Sequence, residues 1–212
     1  DDAKRLGEHL AWLYVWGAVP LSPDGPWAGF LAGAPADLVR IAVGSVGRGL
    51  LHADKPIPTE ARQRLESLWV ARITALSERP DLVADELGEY VWWFASKQFD
   101  SAWAADRLLE VAALRGGLPA NHGLLEVLPA LAPEIPDRAA LIIREVARGE
   151  TDPGLLSYES SAFRGVILAA RAASGDSAES LIRDTLGLLA SRGCTELLDL
   201  GARPQGTTGD PS

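Results

Sequence analysis

Three histidines, one cysteine and a handful of acid pairs are the side chains of this sequence that could do chemistry. His9, His52 and His122 lie far apart, and none has a second His, Cys or acid at a metal-ligand spacing such as His-Glu-x-x-His. His122 follows Asn121 at a helix start, which suits a surface side chain. Cys194, in "RGCTEL", would need a histidine beside it to act as a nucleophile, and nothing local supplies one. It reads as a half-buried cysteine. Glu86 and Glu89, with Asp85 beside them, could share a metal in a helical bundle, but such sites draw Glu-x-x-His motifs from partner helices. The sequence has none, so these acids read as a solvated face. "GSVGRG" (44–49) is neither a dinucleotide fingerprint after a strand nor a P-loop. Inside a helix, its glycines would let another helix approach closely. Glu60 with Arg64, and Glu145 with Arg148, read as ordinary helix-surface pairs. No catalytic, cofactor-binding or metal-binding residue is assigned, no cofactor is implied, and the chain is expected not to be an enzyme.

The aromatic residues are more concentrated. Tyr90, Trp92, Trp93 and Phe94 fall within five positions, and Trp103 follows a short break. On a helix, Val83, Leu87, Tyr90, Val91 and Phe94 share one face at i, i+3, i+4 spacing. Trp92 and Trp93 lie off that stripe. A helix in a stacked layer has neighbours on two or three sides, so core packing accounts for both, with the indole N–H meeting a carboxylate or carbonyl at the rim. The functional alternative is a partner-binding surface, since Trp and Tyr make good interface anchors. On that reading Trp93, with Glu89, Lys97, Trp12 and Trp16, forms the contact region.

Composition narrows the classes. The chain has 212 residues and a formal charge of −9, with no Lys/Arg run. Nucleic-acid affinity comes largely from neutralising phosphates, so no nucleic-acid partner is expected. No apolar run approaches the roughly 20 residues of a membrane span, and no membrane partner is expected. One cysteine allows no intrachain disulfide, which with the lack of a leader-like start suits a cytoplasmic setting. The sequence contains no methionine and opens Asp1-Asp2-Ala3. It is expected to be a piece of a longer protein.

Strand signals are nearly absent, while helix signals recur between Pro, Gly and Asp. Helices are predicted over about 3–17, 27–32, 35–51, 58–78, 82–97, 101–115, 121–131, 136–149, 160–173 and 176–191, with single turns near Leu155 and over 195–200. Leu6, Leu10, Leu13 and Gly17 make the stripe of the first, flanked by Trp12 and Trp16. Asp81 is placed as the cap of the aromatic helix. Asp100 or Ser101 and Asn121 are placed as caps, Gly116 as a left-handed terminator, and Asp176 with Glu179 as a capping box. The helices come in pairs, and three of them end alike, at Leu114-Arg115-Gly116, Ala147-Arg148-Gly149 and Ser191-Arg192-Gly193. This predicts an all-α fold, an irregular stack of α-hairpins of the HEAT/TPR-like solenoid kind, with a compact helical bundle as the alternative. One domain is expected over 1–200, with a sub-boundary near 79–82 and a disordered tail over 201–212.

"YVWWFASKQFDSAWAADRLLEVAALRGG", together with the stretch from "LLSYESSAFRG" to "CTELLDL", resembles the C-terminal helical repeat regions of large bacterial NTPases and related antiphage defence proteins. There an aromatic-rich helix precedes a Phe-Asp-x-x-Trp turn and a late helix ends in Arg-Gly. The similarity spans roughly residues 82–200. It implies a HEAT- or TPR-like region that recognises partners or restrains an effector, and it carries over no catalytic residue. The reading is a non-catalytic protein-interaction module whose partner is another domain or subunit of the same system. A helical ligand-binding regulatory domain or an enzyme subunit is the alternative.

Overall fold

The computed structural model describes residues 2–17, 25–53, 55–79, 83–174 and 178–201, and every regular element among them is helical. The all-α class follows as expected. The helices are α1 (Asp2–Val15), α2 (Pro26–Gly33), α3 (Ala36–Leu51), α4 (Thr59–Ser77), α5 (Val83–Ala95) and α6 (Ser101–Arg115). They continue as α7 (His122–Leu131), α8 (Pro136–Gly149), the short α9 (Pro153–Tyr158), α10 (Ser160–Ser174) and α11 (Glu179–Ser191), and a 3₁₀ turn covers Leu198–Gly201. The expected break after Gly17, the Asp81 cap, the Asp176 capping box, the sub-boundary near 79–82 and the tail beyond 201 fall on or beside residues outside the described set.

Local chemistry sets the helix ends. Asp100 accepts from the backbone N–H of Trp103, Asn121 from Leu124 and Asp152 from Gly154, each satisfying a donor that the first turn cannot pair. Pro26, Pro136 and Pro153 open their helices where a missing N–H costs nothing. Gly116 ends α6 in the left-handed region at φ 84°.

The helices pack in two rows. One runs α1, α4, α6, α8, α11, the other α3, α5, α7, α10, and helices of one row also lie against the other. α6 and α8 run parallel. Arg138 at the start of α8 grips Asp106 near the start of α6 through two bonds of 2.6 and 3.0 Å. At the far end Leu118 N donates to Glu145 O at 2.9 Å. Arg192, ending α11, donates to the carbonyls of Glu150 and Arg148 at 2.8 and 3.1 Å. The three Arg-Gly endings thus gather at one edge of the row. They are not three copies of one cap. Gly116 and Gly193 are left-handed, whereas Gly149 is the last helical residue, and a Cβ there would sit 2.5 Å from the Leu118 backbone.

Burial corrects the expected stripe of α1. Ala11, Tyr14 and Val15 face the core, while Leu6 and Leu13 are exposed. Close approach, not leucine count, orients the helix: Gly7 admits the Phe30 ring, and Tyr14 stacks on Trp27 and donates to the Arg64 carbonyl at 2.7 Å. α4 buries Leu65, Leu68, Trp69, Ile73 and Leu76 as expected.

The "GSVGRG" glycines do what close packing requires. A Cβ on Gly44 would lie 2.3 Å from the Glu89 carboxylate, one on Gly47 would lie 2.6 Å from the Trp93 ring, and one on Gly49 would lie 2.3 Å from Trp12. α3 is the smooth surface onto which α5 and α1 place their largest side chains. Gly47→Ala is expected to destabilise the fold by about 1–3 kcal/mol, the usual cost of overpacking. Gly187→Ala, at an exposed α11 position with open space around its Cβ, is expected to stabilise it by about 0.5–1 kcal/mol. Urea unfolding of the two variants checks both signs.

Candidate functional site

The five residues expected to form a contact region are not brought together at the surface. Trp93 is fully buried, and its indole N–H donates to the Val43 carbonyl at 3.0 Å. It belongs to a ring cluster centred on Trp69, which lies 5.3 to 5.7 Å from Tyr90, Trp93, Phe99 and Trp103. Trp93 cannot meet a partner from there; the bare α3 backbone at Gly47 draws it inward. Glu89 is buried too, held by Arg40 at 2.9 Å and Arg48 at 3.1 Å across the α3–α5 contact. Trp12 is half-buried against Gly49. Only Trp16, just past α1, and Lys97, just past α5, stand exposed.

Glu86 and Glu89 are not a solvated face. Glu86 receives a two-bond grip from Arg72 at 2.9 and 2.8 Å, and the Tyr90 hydroxyl donates to it at 3.4 Å. Burial, and then the negative charge of Glu86, hold the Tyr90 phenol well above its ordinary range. Glu145 is buried between Arg144 and Arg148. Glu159 is buried beside the exposed His122, with Nδ1 3.1 Å from Oε1. Desolvation makes an unpaired buried carboxylate prohibitive, and Glu86, Glu89 and Glu145 each have a guanidinium at their oxygens.

Reactive groups are equally restrained. Cys194 is buried with Sγ 3.6 Å from the Leu156 carbonyl, and desolvation, with Glu196 close by, pushes its thiol up to about 11. A protonated, enclosed thiol is a poor nucleophile. Among the described residues no three His, Cys, Asp or Glu side chains converge on a point that could hold a metal ion. Among the same residues no helix is long and apolar enough to cross a membrane.

One concavity lies where residues 53 and 55–57, the first half of α4 and the 96–100 turn meet. It encloses about 720 Å³ and is lined mainly by polar and charged side chains, among them Lys55, Arg62, Lys97 and Gln98. Gln98 ties two of its walls together by accepting from the Ile57 N–H at 3.0 Å. At its rim Lys97 is the one non-glycine residue with positive φ among those described, at 57°. Glycine fills the comparable positions 17, 116 and 193. A lysine in the left-handed region carries a steric cost of about 1 kcal/mol that glycine would not. Sequence reasoning missed this cleft. Its only trace was "ASKQFD", a helix end with lysine where glycine is usual.

Comparison with protein-family models, with curated proteins and with solved structures gives no match.

Trp93→Ala is expected to cost about 3–5 kcal/mol by cavity formation, with loss of the native tryptophan fluorescence, while Trp16→Ala is expected to change stability by less than about 0.5 kcal/mol. Denaturant midpoints of both variants decide this. The Cys194 thiol is expected to react with a dithionitrobenzoate reagent no faster than the chain unfolds, and at once in denaturant; a fast native reaction would place it at the surface.

Proposed function

We propose that this chain is a non-catalytic recognition module, a short α-solenoid that binds a protein partner through the outer face of α1. The observation that carries the reading is the exposure of Leu6 and Leu13 on α1 and of Trp16 just past its end, at 57, 45 and 62 %. They fall at i, i+7 and i+10, so they line one side of α1, with His9 between them. An apolar helical stripe left in water is what a helix-in-groove or helix-on-helix partner would cover. The parallel alignment of α6 with α8 supports the solenoid reading.

The remaining chemistry points the same way. Arginines and buried acids are spent on one another, the thiol is enclosed, and the rings pack on rings. The partner fitting this surface is an amphipathic helix of another domain or subunit of the same system, in keeping with a helical region of a larger bacterial protein.

The test compares wild type with Leu13→Asp/Trp16→Ala. Proteins captured from the native host are identified by mass spectrometry, and the leading candidate is purified and titrated. The double variant is expected to keep its helicity and melting temperature and to bind at least about tenfold more weakly, about 1.4 kcal/mol or more. Equal binding by both, or turnover of a small molecule by the isolated chain, would overturn the reading.

A further inference from the structure

The cleft between residues 53 and 55–57, α4 and the 96–100 turn has features that the recognition reading leaves unused. It is a depression of about 720 Å³, within the range of small-molecule sites. Its charge runs against that of the molecule. The chain carries −9, yet Lys55, Arg62 and Lys97 line this one cleft. Among the described residues two acids also reach it. Asp100 is committed to the first turn of α6, where it accepts from the Trp103 N–H at 2.9 Å. Glu66 stands 3.9 Å from Arg62, a loose pairing on one helix face. Neither Lys55 nor Lys97 has an ion-pair partner among the described residues. Three cations against two acids leave the described lining with a net charge of +1, and the lysines that carry it come from different segments of the wall.

Lys97 gives a second reason. Its position asks for glycine, and a strained residue that persists at a concave surface is a signature of function rather than of folding. The left-handed turn sets the lysine at the cleft's rim beside Gln98, whose carboxamide oxygen is taken by Ile57, leaving its NH₂ group as a donor. Cations and an amide donor, with Phe99 and Ile57 as the apolar part of the lining, form a donor-rich bowl.

We infer that this cleft binds a small anionic metabolite carrying carboxylate or phosphate groups, held by Lys55, Arg62 and Lys97. Affinity comes from charge-assisted hydrogen bonds in a recess that excludes part of the water. It does not depend on the α1 surface, so the two sites fail or succeed separately.

The experiment titrates citrate and pyrophosphate into the isotopically labelled chain at low ionic strength, following backbone amide signals. Saturable shifts of Lys97, Gln98 and Phe99 with either probe support the site. Preference for citrate assigns the carboxylate class, and preference for pyrophosphate the phosphate class. Lys97→Gly is the diagnostic variant. It is expected to raise the melting temperature by relieving strain while weakening binding several-fold, and Lys55→Gln/Lys97→Gly to weaken it at least tenfold. Loss of binding from misfolding would lower the melting temperature instead. Three outcomes would overturn the inference: no saturation by either probe up to about 10 mM, shifts reproduced by chloride at equal ionic strength, or unchanged affinity in both variants.

Discussion

The contact of α5 on α3 is the constraint on which the rest of the described fold depends. Gly44 and Gly47 strip one face of α3 to backbone, and onto it α5 lays Glu89 and Trp93. The Trp93 indole then reaches the Val43 carbonyl, a main-chain acceptor that any β-carbon at position 47 would screen. Trp93 in turn sets the ring cluster. Tyr90, Phe99 and Trp103 arrange around Trp69, so α4, α5 and α6 share one aromatic core. Aromatic pairs at these separations add about 0.5–1.5 kcal/mol each beyond the area they bury. The glycines cost helix propensity, about 1 kcal/mol apiece, and the close contact they permit offsets it.

The buried carboxylates have a related logic. Glu86 and Glu89 sit on one helix and answer to guanidinium groups on two others, Arg72 on α4 and Arg40 and Arg48 on α3. Burying such a pair yields little net stability over an apolar equivalent, but losing one partner costs about 3–5 kcal/mol. Their effect is on register. A slip of α5 by one turn along α3 would strand Glu89 without its arginines and drive the Trp93 ring against a side chain instead of Gly47. Glycine seam and ion pairs select the same alignment, an agreement between levels that favours one native arrangement.

Much of the architecture was legible in the sequence because helix ends are local. Asp100, Asn121 and Gly116 act as caps and terminator where their side chains, or the lack of one, predict. The contact role of the "GSVGRG" glycines was legible as well, since no phosphate-cradle spacing competed with it. Facing was less legible. Glu86 and Glu89 look solvent-facing until arginines from other helices arrive, and pairing across 14 to 49 positions of sequence leaves no short-range trace. For Trp93 the core-packing reading holds, its N–H meeting the Val43 carbonyl, while the alternative of a partner anchor arose because that carbonyl lies on another helix. The stripe of α1 misled by counting leucines, whereas Gly7 and Ala11 mark the face that is pressed against neighbours. The cleft at Lys97 left only the trace of a lysine where a helix end usually has glycine, because a backbone dihedral is not written in residue type.

That misleading stripe bears on function. Large apolar side chains on one face of a helix normally orient it toward a core, yet Leu6 and Leu13 of α1, and Trp16 just past its end, are exposed. The inward face is already filled by Tyr14, Ala11 and Val15, which meet Trp27, α3 and α4. Turning the helix to bury Leu6 and Leu13 would expose Tyr14 and break its bond to the Arg64 carbonyl. α1 therefore has two apolar faces, and its own chain satisfies one. A helix of this kind is stable alone only to the extent that water tolerates the second face, a cost of about 25 cal/mol for each Å² left uncovered. A partner that covers it recovers that free energy without reordering anything inside, because the glycine seam and the ring cluster have already fixed the scaffold. Rigidity within and an unsatisfied stripe without are the two conditions under which a helical stack binds with little conformational cost.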